Sequence, residues 1–325
     1  MEISQLPAGL CTPSIGLGCW GMSDAYGPAD EKESIATIEA ALAIGLRHFD
    51  TADVYGDGHN ETLLGRALAG HRQDVFLATK FGFVGDEHGQ VSVDGRPERV
   101  KIACEASLRR LGTEVIDLYY LHRRDKRVAI EDTVGAMADL VSEGKVRFLG
   151  LSEVSAQTLR RASDVHPIAA LQSEYSLFTR DPESTVLPVC RELGTTLVAF
   201  SPLGRGLLTG KVKSRAELAE GDYRREMPRF AEGNLAKNRA LVEALEIMAQ
   251  AKNGTAAQVA LAWLISQGAD ILPIPGMKRR SHLQDNIGAL NMELTPDDLT
   301  LLSTLSEAVQ GQRHNPHNLK FIENS

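Results

Sequence analysis

The sequence predicts an α/β chain folded as one (β/α)8 TIM barrel, with a long loop after the seventh strand and an extra helix near the C-terminal end. Three observations predict it: eight short, apolar, β-rich runs; helix-compatible stretches between them; and no Pro/Ser-rich linker that would divide the 325 residues. Parallel strands bury both faces and need crossover helices, so apolar runs alternating with helices fit a closed parallel barrel. A single domain over residues 1–325 is expected.

In order, the runs are SIGLGCW from Ser14, LRHFDTA from Leu46, VFLATKF from Val75, VIDLYYLH from Val115, VRFLGLS from Val146, AALQSEY from Ala169, TLVAFSPL from Thr196 and DILPIPG from Asp270. Helix punctuation lies between them. Pro97 opens a first turn and Gly112 stands just past the end of ERVKIACEASLRRL. Thr255 with Gln258 spells a capping box before VALAWLISQ, and Ser281 with Gln284 spells another. The polar segment from Gly204 to Ala231 is too long for an ordinary connection and reads as a lid or binding loop. A further helix starts with Thr295 as cap and Pro296 in its first turn; its place, below the barrel or beside the mouth, stays open.

Composition narrows the function. A chain that is 43% hydrophobic buries a full core, and a formal charge of −8 argues against nucleic acid as partner. There is no apolar window of membrane-spanning length, and MEISQLPAGL lacks the basic-then-apolar order of a signal peptide, so a cytoplasmic protein with no membrane partner is expected. Cys11, Cys19, Cys104 and Cys190 have no metal-ligand spacing and read as buried free thiols. No metal is expected.

Gly16-Leu17-Gly18-Cys19-Trp20-Gly21 matches G-x-G-x-x-G and follows a strand, yet it fails as a dinucleotide fingerprint. That site needs a helix to begin at the glycines, whereas Pro28 follows and a cap arrives only at Asp30. DVYGDGHNE from Asp53 likewise lacks the alternating ligands of a calcium loop.

Active sites of such barrels lie at the C-terminal ends of the strands. There the second run delivers Asp50 and Tyr55, the third ends in Lys80 and the fourth in His122. Each alone has an ordinary structural explanation; their arrival on one rim is a chemical set. A cation about 4 Å from a phenol, at an effective dielectric of about 20, is worth roughly 4 kcal/mol, so Lys80 is expected to tune Tyr55 as a general acid while Asp50 holds the ammonium. His122 offers a second hydrogen bond to the same oxygen. Reduction of a carbonyl by hydride needs just this: a proton at oxygen, without nucleophile or metal.

These residues, with the motifs FDTADVYG, ATK, YYLHR, GLS, SPLGRGLLTGK and PIPGMKRRSHLQDN, resemble the aldo-keto reductase family over nearly the whole chain. The resemblance implies NADPH/NADP+ as cofactor and a small carbonyl compound as substrate. It makes Tyr55 the proton donor, Lys80 and Asp50 its tuning pair and His122 the carbonyl-orienting residue. Ser152 and Gln172 then hold the nicotinamide carboxamide and Phe200 stacks on its ring. Ser201, Leu203, Gly206 and Lys211 belong to the loop over the pyrophosphate, and Gly276, Lys278, Arg279 and Asn286 to the adenosine 2′-phosphate and adenine site. Gly21, Met22, Asp50, Pro202, Arg205, His282 and Asp285 complete the implied cofactor set. Two positions depart from the family pattern: Glu153 replaces a frequent Asn, and His282 a frequent Arg on the 2′-phosphate, leaving Lys278, Arg279 or Arg280 to supply that charge.

Trp20, Met22, Phe81, Phe83, Tyr223 and Phe230 are candidate pocket walls. Two other functions fit parts of the sequence. A regulatory subunit resembling potassium-channel β subunits would keep fold and nucleotide with little turnover. A hydrolase using Asp50 and Asp53 would leave Lys80 and the KRR cluster unexplained. The sequence names no oligomeric partner.

Overall fold

The computed structural model describes residues 3–5, 11–23, 25–85 and 91–323, with side chains from Ser14 onward. Its central sheet has eight strands: β1 Leu17–Gly18, β2 His48–Asp50, β3 Phe76–Phe81, β4 Ile116–Leu121, β5 Val146–Ser152, β6 Ile168–Glu174, β7 Thr196–Phe200 and β8 Ile271–Pro273. Each pairs in parallel with the next in chain order. The ring closes between its ends, where Gly16 N donates to Pro273 O at 2.9 Å and Gly18 N to Pro275 O at 3.1 Å. All eight expected runs are thus strands of one TIM barrel.

Helices α1 Glu31–Ala43, α2 His59–Ala67, α3 Pro97–Leu111, α4 Ile130–Ser142, α5 Ala156–Val165 and α6 Leu187–Leu193 follow the first six strands. The seventh unit carries two helices rather than one, α7 Glu232–Ala251 and α8 Ala256–Ile265. α9 Arg280–Ile287 follows β8, and α10 Pro296–Ser306 and the short α11 Pro316–Leu319 complete the chain.

Local chemistry explains most boundaries. Asp30 caps α1 by accepting from Lys32 N and Glu33 N, nine residues beyond the last glycine of the rejected nucleotide motif. Pro97 opens α3 and Gly112 ends it in the left-handed conformation. Thr255 and Gln258 form the expected box, and Thr295 forms one with Asp298. The second proposed box does not form: α9 begins two residues early, at Arg280, so Ser281 is inside the helix and Arg279 holds the cap position. α10 packs against α7 on the barrel's flank, and the chain after it returns across the mouth.

Strand parity divides the core in two. Phe76, Ala78, Leu118, Tyr120, Ala170, Val198, Leu272 and Ile274 fill the barrel interior. The opposite parity, with Leu17, Phe49, Leu77, Tyr119, Leu149, Leu171 and Leu197, packs against the helices. Asp50, Lys80, Ser152, Gln172 and Phe200 share the inward parity at the strands' C-terminal ends, so the pleat that builds the core also aims polar groups at the mouth. Cys19, Cys104 and Cys190 are buried free thiols; the side chain of Cys11 lies outside the described residues.

Tyr120 and Gly150 face each other across β4 and β5. A Cβ at Gly150 would stand 2.4 Å from the Tyr120 ring, which has no exposed surface. Gly150→Ala should therefore destabilise the barrel by about 1–3 kcal/mol, read as a lower denaturant midpoint.

Candidate active site

The inner face of the mouth opens into a cavity of about 740 Å³. At its floor, Lys80 has no exposed surface and must find its partners inside the protein. Its ammonium donates to Asp50 Oδ1 at 2.5 Å, to Thr51 O at 2.7 Å and to the Tyr55 hydroxyl at 3.3 Å. The second Asp50 oxygen accepts from Gln172 Nε2 at 2.7 Å, tying β2 to β6 across the barrel. His122 stands at the end of β4, its ring edge-on to Tyr55 with centroids 5.9 Å apart, and its Nδ1 is buried without a partner.

The electrostatics follow from burial. Desolvation pushes the Tyr55 phenol above its ordinary value; the pull of Lys80 is present but smaller, so Tyr55 holds its proton more firmly than expected from the pair alone. Burial alone would lower Lys80, but the charges of Asp50 and Tyr55 outweigh it and leave the ammonium above the usual lysine value. Burial, then the charges of Arg123 and Lys80, hold His122 well below its ordinary value, so it is a neutral imidazole with one N–H to give.

Of the remaining sequence-nominated residues, Gly21, Ser152, Phe200, Ser201, Pro202, Leu203, Gly206, Lys211, Gly276, Lys278, Arg279, His282, Asp285 and Asn286 all line the cavity. Asn286 is buried with its Nδ2 unpartnered, and a Cβ at Gly276 would meet open space; both leave room for a bound group. Met22 is different: its side chain belongs to the apolar core behind the wall. Phe81 and Phe230 also lie in that core, whereas Trp20, Phe83 and Tyr223 line the cavity. Arg205 touches the cavity, but its guanidinium is matched to the Glu174 carboxylate at 2.7 and 3.2 Å and is not a free phosphate ligand. Lys278 donates to the carbonyls of Tyr26, Gly27 and Pro28, and Arg280 is paired with Glu33, which leaves Arg279, Lys211 and His282 as the basic groups turned to the cavity's outer end. Asp53 does not line the cavity and Asp50 has both oxygens occupied, so the two make no hydrolytic carboxylate pair.

Sequence reasoning named the 204–231 segment as a lid, but missed the ion pairs that fasten it and the second roofing segment around residues 313–322. Glu153 adopts φ +55 and turns its carboxylate onto Arg313, at 2.8 and 2.7 Å, while its carbonyl accepts from Glu323 N. Glu174 holds Arg205 and also Arg229, at 3.2 Å. Two acids at the ends of β5 and β6 thus fasten the chain's last segment and the long loop over the mouth. His314, His317, Asn318, Phe321 and Ile322 line the cavity from that segment. Arg123, inside the YYLHR motif, donates to Ser152 Oγ at 2.9 Å and was passed over beside the more familiar His122. An acid closing each of two consecutive strands was the available signal.

No helix among the described residues is long and apolar enough to cross a membrane, and no cluster of three metal-ligating side chains occurs among them. The profile of the Aldo/keto reductase family matches residues 14–307. The chain is 45% identical over 289 residues to the NADP(+) aldo-keto reductase yakc of Schizosaccharomyces pombe, covering 87% of this chain and 85% of that one. Among solved structures it resembles a glycerol dehydrogenase from Gluconobacter oxydans, with TM-score 0.86 and 29% identity over 97% of this chain and 98% of that one. It also resembles an aldo/keto reductase from Klebsiella pneumoniae in complex with NADP and acetate, with TM-score 0.74 and 30% identity over 97% and 99%.

Glu174 is held well below the usual carboxylate range: burial opposes its charge, but Arg205 and Arg229 overcome that cost. A depressed value stabilises the fold above the ordinary pKa of 4.5 and loses that contribution as the pH falls below it. Glu174→Gln should accordingly cost about 3 kcal/mol near neutral pH and progressively less in acid, measured by urea denaturation across that range. Limited proteolysis should cut its 205–231 loop faster than in the wild type.

Proposed function

The chain belongs to the aldo/keto reductase family, and on that premise we propose that it is an NADP-dependent oxidoreductase that reduces an aldehyde or ketone to an alcohol. One observation carries this reading: a fully buried ammonium bridges a carboxylate and a phenol, and the phenol shares its cavity with a neutral, unpartnered imidazole.

Tests of fit favour the nucleotide. The orphaned Asn286 Nδ2 calls for an acceptor such as an adenine ring nitrogen, and Arg279 and Lys211 offer charge to a phosphate. Ser152, Gln172 and Phe200 would hold the nicotinamide end; Ser201, Pro202, Leu203, Gly206 and Lys211 the pyrophosphate; Gly276, Arg279, His282, Asp285 and Asn286 the adenosine end, with Gly21 alongside. When bound, the reduced nicotinamide supplies a hydride to the carbonyl carbon.

The chain's own residues handle the oxygen. Negative charge grows there, and the Tyr55 hydroxyl, kept protonated by burial, donates its proton to it. The phenolate left behind is stabilised by the Lys80 ammonium at 3.3 Å, whose position is fixed by Asp50 and the Thr51 carbonyl. His122, neutral, gives its single N–H to the same oxygen and fixes the carbonyl's direction. Gln172 keeps Asp50 from rotating off the lysine.

Tyr55→Phe should lower NADPH-driven reduction of a carbonyl panel by about 10²–10⁴-fold while NADPH binding, followed by fluorescence, stays near the wild-type value. Turnover undiminished in this variant would overturn the assignment, and a wild type that holds nucleotide but reduces nothing would favour the regulatory role. Arg279→Met should raise KM for NADPH about tenfold or more, the loss of one charge-assisted contact, and leave KM for NADH unchanged.

A further inference from the structure

Among the described cations around the substrate end of the cavity, one lacks an ion-pair partner. Asp50 is occupied by Lys80, Glu153 by Arg313, and Glu174 by Arg205 and Arg229. Arg123, only 8% exposed, has no carboxylate within ion-pair distance among the described residues. Its Nη1 donates to His122 O at 2.6 Å and Ser152 Oγ at 2.9 Å, but Nε and Nη2 make no hydrogen bond to described residues, and the side chain lines the cavity. The charge of Glu153, already paired with Arg313, offsets the burial of Arg123 only in part, so an arriving anion would be favoured there. The nucleotide phosphates are not that anion: the residues offered to them follow β7 and β8, on the far side of the ring from β4, which carries His122 and Arg123.

Around this guanidinium the walls are flat and apolar. Its carbon lies 5.9 Å from the Phe83 ring centroid, and Trp20, Tyr223 and Phe321 line the same space. A guanidinium presents a planar fork that matches a carboxylate. Resting on the reductase reading above, we propose that the preferred substrate is an aldehyde or ketone carrying a carboxylate on an aromatic or similarly flat body, and that Arg123 is the residue that binds that carboxylate while Tyr55 and His122 engage the carbonyl.

The test uses the full chain with NADPH and a matched pair, 4-formylbenzoate and its methyl ester. Each aldehyde is reduced to the alcohol as one NADPH is oxidised, so absorbance gives kcat/KM for both. The wild type should prefer the acid by about tenfold or more, as for a hydrogen bond to a charged group, and Arg123→Met should lose that preference whatever it does to the two absolute rates. Arg123→Lys, which keeps the charge without the fork, should retain part of it. A second readout needs no turnover: benzoate should raise the Tm of the NADP(+)-bound wild type with dose, and do so less in Arg123→Met. A wild type that reduces both equally or prefers the ester overturns the inference and leaves the reductase standing, as does a preference unchanged in Arg123→Met. If Arg123→Met does not fold, the wild-type ratio and Arg123→Lys decide. Failure to reduce either aldehyde, or any other carbonyl, with nucleotide bound defeats the reductase reading and this inference with it.

Discussion

A lysine ammonium with no exposed surface fixes the geometry of the whole mouth. Lys80 stays charged inside the barrel only because Asp50, the Thr51 carbonyl and the Tyr55 hydroxyl surround it. Those partners come from β2 and the turn after it, so the pairing of β2 with β3 has to be right to the residue; a slip of one would turn Lys80 toward the helices. Gln172 extends the constraint to β6 by occupying the other Asp50 oxygen. Chemistry and strand register are therefore one requirement here, and the polar floor of the site is also a cross-brace of the barrel.

A second pair of acids organises what covers that floor. Glu153 and Glu174 end neighbouring strands and face upward into basic side chains supplied by the chain's last segment and by the loop after β7. The covering segments carry little regular structure beyond 3₁₀ turns such as Gly204–Thr209 and Tyr223–Glu226, and the loop after β7 is anchored from below by Leu207, Leu208, Leu218, Met227 and Phe230 in the core. Ion pairs from Glu174 to Arg205 and Arg229 add polar fastenings to that apolar anchorage. Arg123 is the exception in this arrangement, a cation among paired cations.

Much of this was legible in the sequence because the barrel imposes a period. Asp50, Lys80 and His122 could be placed at the mouth once the strand ends were recognised, whereas Ser152, Gln172 and Phe200 came from the family resemblance; in the structure, those that lie within strands share the inward parity. Capping residues marked α3, α8 and α10 for equally local reasons. What was not legible depended on contacts distant in sequence. Whether Arg205 meets a phosphate or Glu174, and whether Lys278 faces a ligand or the carbonyls of residues 26–28, is decided by loops folding over one another. Met22 sits one turn from cavity residues and was assigned to the wrong side of the wall for the same reason. The balance on Tyr55 also needed a structure, since sequence gives the presence of Lys80 but not the depth of burial that opposes it.

The placement of Phe321 and Ile322 in the cavity wall has a bearing on how the protein is made. Synthesis runs from the N-terminus, and the ring cannot close until the residues around Gly276 meet Gly18. The wall supplied by residues 314–322 is made later still. A nascent chain interrupted beyond α10 would hold every strand, the full Asp50–Lys80–Tyr55 contact set and the loop after β7, yet leave the cavity open on the side that His314, His317, Asn318, Phe321 and Ile322 wall off.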